Sequence, residues 1–134
     1  MYLTRECDYG IRVIRALATG KKKTVQEICD AELIPKPFGY KILKKLEYAG
    51  FLRSIRGCDG GYQLIKPLNT FTISDIVFAV DEELFITDCL KDDNDCNFKK
   101  ARETCPIHIE FERIQKALVG ELSRYTIAEL ISLN

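Results

Sequence analysis

Residues Arg56-Gly57-Cys58-Asp59-Gly60-Gly61 hold three glycines and an aspartate in six positions, so neither a helix nor a strand can run through them and the chain must turn. Short β-prone runs lie on either side, Phe51 to Ile55 and Tyr62 to Ile65, and this arrangement predicts a hairpin. The segment just before it has a different period. Phe38, Ile42, Leu46 and Ala49 recur at steps of four, four and three, which predicts the inner stripe of a helix. That helix should begin near Pro35 or Pro37 and stop at Gly50. Its opposite face carries Lys36, Tyr40, Lys41, Lys44 and Tyr48, cations interleaved with aromatic hydroxyls, as a helix lying in a DNA major groove requires. A basic helix followed by a hairpin reads as a recognition helix and wing, with Arg53, Arg56 and Lys66 placed to reach phosphates or the minor groove.

The rest of the chain reads as helix. Leu3, Cys7, Gly10, Ile14 and Leu17 form one apolar stripe ended by Gly20, and Thr24-Val25-Gln26-Glu27 has the form of a capping box opening a second, short helix with Val25, Ile28 and Cys29 inward. Thr72 to Val80 predicts a capped helix with Ile73, Ile76, Val77 and Val80 on one side. From Pro106, Ile107, Phe111, Ile114, Leu118 and Leu122 give a stripe about 25 Å long, able to pack against its copy in a second subunit. Thr126 to Glu129 caps a last helix. The expected fold is therefore mainly α with a small β-hairpin wing: a winged helix-turn-helix module over residues 1–67, then 68–134 with a sensor loop at 88–105 and a dimerisation helix, packed as one chain.

Charge separates the same halves. Residues 1–67 carry 13 Lys and Arg against 7 Asp and Glu, whereas 68–134 carry 7 against 13. Only the first half suits a polyanion such as double-stranded DNA. Met1 is followed at once by polar residues and no long apolar window exists, so a cytoplasmic protein without membrane association is expected. In that compartment six cysteines point to metal binding or redox sensing ahead of structural disulfides. With one histidine, no glycine-rich phosphate loop and no nucleophile elbow, an enzyme is not expected.

Cys89, Cys96 and Cys105 are separated by six and eight residues, and His108 follows three positions after Cys105. Three thiolates and an imidazole suit a zinc ion or an iron-sulfur cluster. Cys105 precedes Pro106, next to the start of the long helix, where unpaired amides favour an anion. Structural thiols and a reversible disulfide switch are the alternatives on the residues alone.

Leu3-Thr4, Asp8 to Arg12, Ile34-Pro35, Lys41-Ile42-Leu43, Ala49-Gly50, Arg56-Gly57 before Gly60-Gly61-Tyr62-Gln63-Leu64, and Cys105-Pro106-Ile107-His108 together resemble the Rrf2 family of winged-helix transcriptional regulators, the IscR-, NsrR- and CymR-like proteins. The resemblance covers essentially the whole chain. It implies a homodimer that docks helix three and the wing, with Gly60 and Gly61, on a palindromic operator as repressor or activator. It also implies a 2Fe-2S or 4Fe-4S cluster on the three cysteines, with His108 or Asp8 of the partner subunit as fourth ligand, sensing redox state, nitric oxide or cluster supply. A cluster-free regulator using zinc or a thiol switch, and a CymR-like module controlled by a metabolic enzyme, are the other readings it supports.

Overall fold

Thr4 sits in extended backbone and its hydroxyl accepts the Cys7 amide at 3.3 Å, which opens helix α1 (Arg5–Leu17). The computed structural model describes residues 3–92, 95–98 and 104–133. In these, α1 is followed by α2 (Val25–Glu32), α3 (Lys36–Tyr48), β1 (Leu52–Ile55), β2 (Gly61–Leu64), α4 (Ile73–Val80), α5 (Pro106–Leu122) and α6 (Ile127–Ser132), with short 3-10 turns at Leu68–Thr70 and Asp88–Leu90. Part of the expected sensor loop, residues 93–94 and 99–103, lies outside the described residues.

The threonine caps foreseen in the sequence are present. Thr24 and Glu27 exchange hydrogen bonds of 2.7 and 3.1 Å, and Thr126 and Glu129 exchange bonds of 2.7 and 3.3 Å. The Thr72 amide donates to Asp75 Oδ2 at 2.8 Å. Each box satisfies amides that a helix start leaves without partners.

Helix α1 is the hub, with Cys7, Val13, Ile14 and Leu17 buried against α2, α3 and α4. Its close approach to α4 is set by Gly10, where a Cβ would lie 2.7 Å from Val80 Cγ2. The α2–α3 crossing is as tight, because a Cβ at Gly39 would overlap the Cys29 sulfur. The inner stripe of α3 is Gly39, Ile42, Leu43 and Leu46, slightly rotated from the predicted one. Ala49 is exposed, and Phe38 lies at the edge, half-covered by Tyr9 with ring centroids 5.6 Å apart.

β1 and β2 pair antiparallel, Leu52 opposite Leu64 and Ile55 opposite Gly61. The wing is anchored at its base. Phe51 packs edge-on against Phe71 at 5.0 Å, and Tyr62 exchanges backbone bonds of 2.8 and 2.9 Å with Lys23. The C-terminal end returns to this core, since the Ile127 amide bonds the Phe71 carbonyl at 3.0 Å and Ile127 is buried. A second, smaller core joins Cys7, Val77 and Leu84, with Leu122 of α5 against it. Helix α5 contributes no fully buried residue in the single chain. Among the described residues no helix is long and apolar enough to cross a membrane.

Glu6 ties α1 to α3 by ion pairs to Lys41 at 2.5 Å and Lys45 at 3.0 Å, and Lys45 also donates to the Val80 carbonyl at 2.8 Å. Hydrogen bonds from Lys41, then Lys45, hold the Glu6 carboxyl below its usual range. A depressed folded value means that this stabilisation is complete above the unfolded carboxylate range and is lost as pH falls through the folded value. Wild type should therefore have a higher urea midpoint than Glu6→Gln at pH 7, the gap closing below about pH 4. Equal midpoints at neutral pH would refute the link. Gly39→Ala should cost about 1–3 kcal/mol in urea unfolding, and adding Cys29→Ala should recover part of that loss.

Candidate functional site

The outward face of α3 is set by the helical period once Gly39, Ile42, Leu43 and Leu46 turn inward. Lys36, Tyr40, Lys41, Lys44 and Tyr48 are all exposed, Tyr48 almost completely at 94%. Four of them divide between two grooves. Lys36 and Tyr40 join Arg56, Gly60, Gly61 and Gln26 around an open groove of about 490 Å³ between the starts of α2 and α3 and the wing. Lys44 and Tyr48 line a second, wider groove of about 990 Å³ against the start of α1 and the acidic run after α4, Asp81 to Glu83. Lys41 is held by Glu6, so part of its charge is already balanced.

In the wing, Arg53 is fixed opposite Gln63 by bonds of 3.1 and 2.6 Å, and Gln63 in turn donates to the Gly20 carbonyl at 2.7 Å. Arg56 is exposed at the start of the turn. Gly61 has an immediate structural reason: φ is +155°, and a Cβ there would lie 2.5 Å from the Lys23 carbonyl oxygen. This glycine lets the wing lie flat on the backbone before α2, which shapes the groove whether or not it touches DNA.

The three cysteines singled out by spacing meet in one place. Cys89, Cys96, Cys105 and His108 line a single pocket of about 220 Å³, with Thr87, Ile107 and Phe111 completing its largely apolar wall. Cys105 is the N-cap residue of α5 and His108 lies within its first turn, so both face the pocket from the same helix end. His108 Nε2 also lies 3.4 Å from Glu112. Among the described residues, no three His, Cys, Asp or Glu side chains are arranged to hold a single metal ion. A mononuclear site draws every ligand to about 2.0–2.3 Å of one point, whereas a cluster spreads its thiolates over several atoms. Three thiols and an imidazole around one small apolar pocket are donors of the kind that hold a zinc ion or an iron-sulfur cluster.

Asp8 is elsewhere. It lies on the exposed side of α1, paired with Arg12 at 3.0 Å, and does not line the pocket of its own chain. The remaining cysteines are separate from the pocket. Cys7 and Cys29 are buried core residues, and burial pushes the Cys29 thiol up from its ordinary range. Cys58 is exposed in the wing turn.

Sequence reasoning missed Thr87 as a pocket residue and Gln26 beside the wing. Thr87 sits in an aperiodic segment that gives no signal. Gln26 was legible only as the third residue of a capping box, but its place on the exposed side of a short helix follows from the inward turn of Ile28 and Cys29.

A scan of protein families matches residues 3–133 to Rrf2, described as an iron-dependent transcriptional regulator. Similar solved structures include CymR (YrzC), the global cysteine regulator of B. subtilis, at 22% identity, covering 100% of this chain and 98% of that one with a TM-score of 0.74. The oxidized form of Staphylococcus aureus CymR is similar at 21% identity, with coverage of 97% and 95% and a TM-score of 0.73. IscR of T. potens follows at 19% identity, with coverage of 98% and 87% and a TM-score of 0.68. At these identities the structures speak for the fold, a winged helix with a two-stranded hairpin, and the family match over nearly the full length speaks for the lineage. The chain belongs to the Rrf2 family of transcriptional regulators.

Proposed function

We propose that this chain is a cytoplasmic, homodimeric DNA-binding regulator whose operator affinity is set by an iron-sulfur cluster in the pocket of Cys89, Cys96 and Cys105. The observation that carries the reading is the convergence of three thiols, separated by six and eight residues in sequence, with His108 on one small pocket in a member of a family described as iron-dependent. His108 of the same chain or Asp8 of a partner is the fourth ligand. When bound, such a cluster supplies a centre that oxidants and nitric oxide attack. The chain's own contribution is to present the thiols from two sides, Cys89 from the segment after α4 and Cys105 from the start of α5, within walls that limit water.

Dimerisation is supported by α5. Its Ile107 and Ile114, two turns apart on one side, stay exposed in the single chain, as does Ile109, and a 17-residue helix with an exposed apolar side gains its stability from a partner surface. On the DNA side, Lys36, Tyr40, Lys44, Tyr48, Arg53 and Arg56, with Lys41 partly engaged, supply phosphate and base-edge contacts, and Gly60 and Gly61 let the wing approach the backbone.

Anaerobic protein reconstituted with ferrous iron and sulfide should show visible absorbance that Cys89→Ser, Cys96→Ser or Cys105→Ser each removes. Loss in His108→Ala but not Asp8→Ala assigns the histidine, and the reverse assigns the aspartate. Colourless wild type that binds zinc stoichiometrically, or that forms a reversible disulfide, would replace the cluster with one of the other readings. Lys36→Ala and Arg56→Ala should each flatten the log affinity against log salt slope by about 1, as expected for one lost phosphate contact. Unchanged slopes would move DNA to the α1–α4 groove.

A further inference from the structure

The segment joining α4 to the cysteine pocket, residues 81–91, is fixed by several parts of the fold. Leu84 is buried against Cys7 of α1 and Val77 of α4. Immediately afterwards Gln115 of α5 holds the backbone on both sides of Phe85. Its Nε2 donates to the Leu84 carbonyl at 2.7 Å, and its Oε1 accepts the Ile86 amide at 2.9 Å. Thr87 and Cys89 then reach the pocket, where Ile107, His108 and Phe111 of α5 form another wall. Lys91 ties the segment to itself through Glu83 and Asp88, at 3.1 Å each.

Phe111 and Gln115 are one helical turn apart on α5, so pocket wall and clamp belong to one rigid piece. A side-chain amide can donate to a carbonyl and accept from an amide at once. Alanine can do neither, and an ionised glutamate only accepts. Beyond Leu84 the contacts continue without a gap: Cys7 adjoins Glu6, and Glu6 is paired with Lys41 and Lys45 on the DNA-reading helix.

We propose that Gln115 is the positioning residue that makes this segment move as a unit, so that occupancy of the cysteine pocket is passed through Leu84 and Cys7 to α1 and α3. The inference rests on the sensory reading of the pocket and names the part that links it to the DNA-binding half. Without the clamp, a pull on Cys89 is absorbed by the backbone at residues 84–86. With it, the pull reaches the first turn of α1.

The test compares full-length wild type, Gln115→Ala and Gln115→Glu, anaerobically, before and after reconstitution with ferrous iron and sulfide. Iron per chain, the ratio of loaded to unloaded affinity for a DNA fragment selected from a random pool, and hydrogen–deuterium exchange at the Ile86 and Asp8 amides in unloaded protein are read. Wild type should show a ratio of about 10-fold or more, within the usual span of coupled sites. Gln115→Ala should keep its iron while the ratio collapses to within about 2-fold of unity, with Gln115→Glu between them. Exchange at Ile86 and at Asp8, whose amide bonds the Thr4 carbonyl at 3.1 Å, should quicken in Gln115→Ala. A wild-type ratio in Gln115→Ala, or exchange unchanged at both amides, overturns the proposal. If wild type takes up no iron, the cluster reading fails by itself. Exchange then decides the link: quickening at both amides supports it, and quickening at Ile86 alone overturns it.

Discussion

The burial of one face of α1 is the interaction on which the other parts depend. Val13, Ile14 and Leu17 are removed from water by α2, α3 and α4, each contributing about 1.5–3 kcal/mol, and a 13-residue helix of this kind would be marginal without them. Because α1 touches α3 on one side and α4 on another, its position fixes both. The Glu6 pairs add direction to that packing. Lys45 answers a carboxylate of α1 and a carbonyl at the end of α4 at once, so the three helices meet at one charged joint next to the buried Cys7.

The charge asymmetry has a structural counterpart. Cations of α3 and the wing border the groove by the start of α2, whereas the acidic run after α4 forms one wall of the α1–α4 groove. The wing-side groove therefore presents the more uniformly positive surface, and the α4 side a mixed one. Arg53 and Gln63 stiffen the wing across its strands, while Tyr62 and Gly61 fasten it to Lys23, so the hairpin is held at a set angle to α3.

Local signals made much of this legible. The turn at residues 56–61, the threonine caps and the proline and glycine limits of α3 follow from backbone chemistry that acts over a few residues. The cysteine pocket was legible from spacing because Cys105 and His108 share a helix end and Cys89 and Cys96 lie in the segment leading to it. Contacts set only by tertiary packing were not. Glu6 reads as a surface acid of α1 until α3 brings Lys41 and Lys45 to it, and Gln115 reads as a polar residue of an amphipathic helix until the aperiodic segment after α4 lies across it. The small rotation of the α3 stripe has a similar origin, since the inward position of Gly39 is where the Cys29 sulfur leaves no room for a Cβ, and no periodicity count weights a glycine as core.

The central claim is that the pocket of Cys89, Cys96 and Cys105 governs DNA binding. Its most direct test is the affinity of one anaerobic wild-type preparation for one selected operator, measured at fixed salt with the pocket loaded by iron and sulfide and again after chelation. The account predicts a change of about 10- to 150-fold, within the range of ordinary coupling between sites. Equal affinities in the two states, with iron bound in the first and absent in the second, would contradict it.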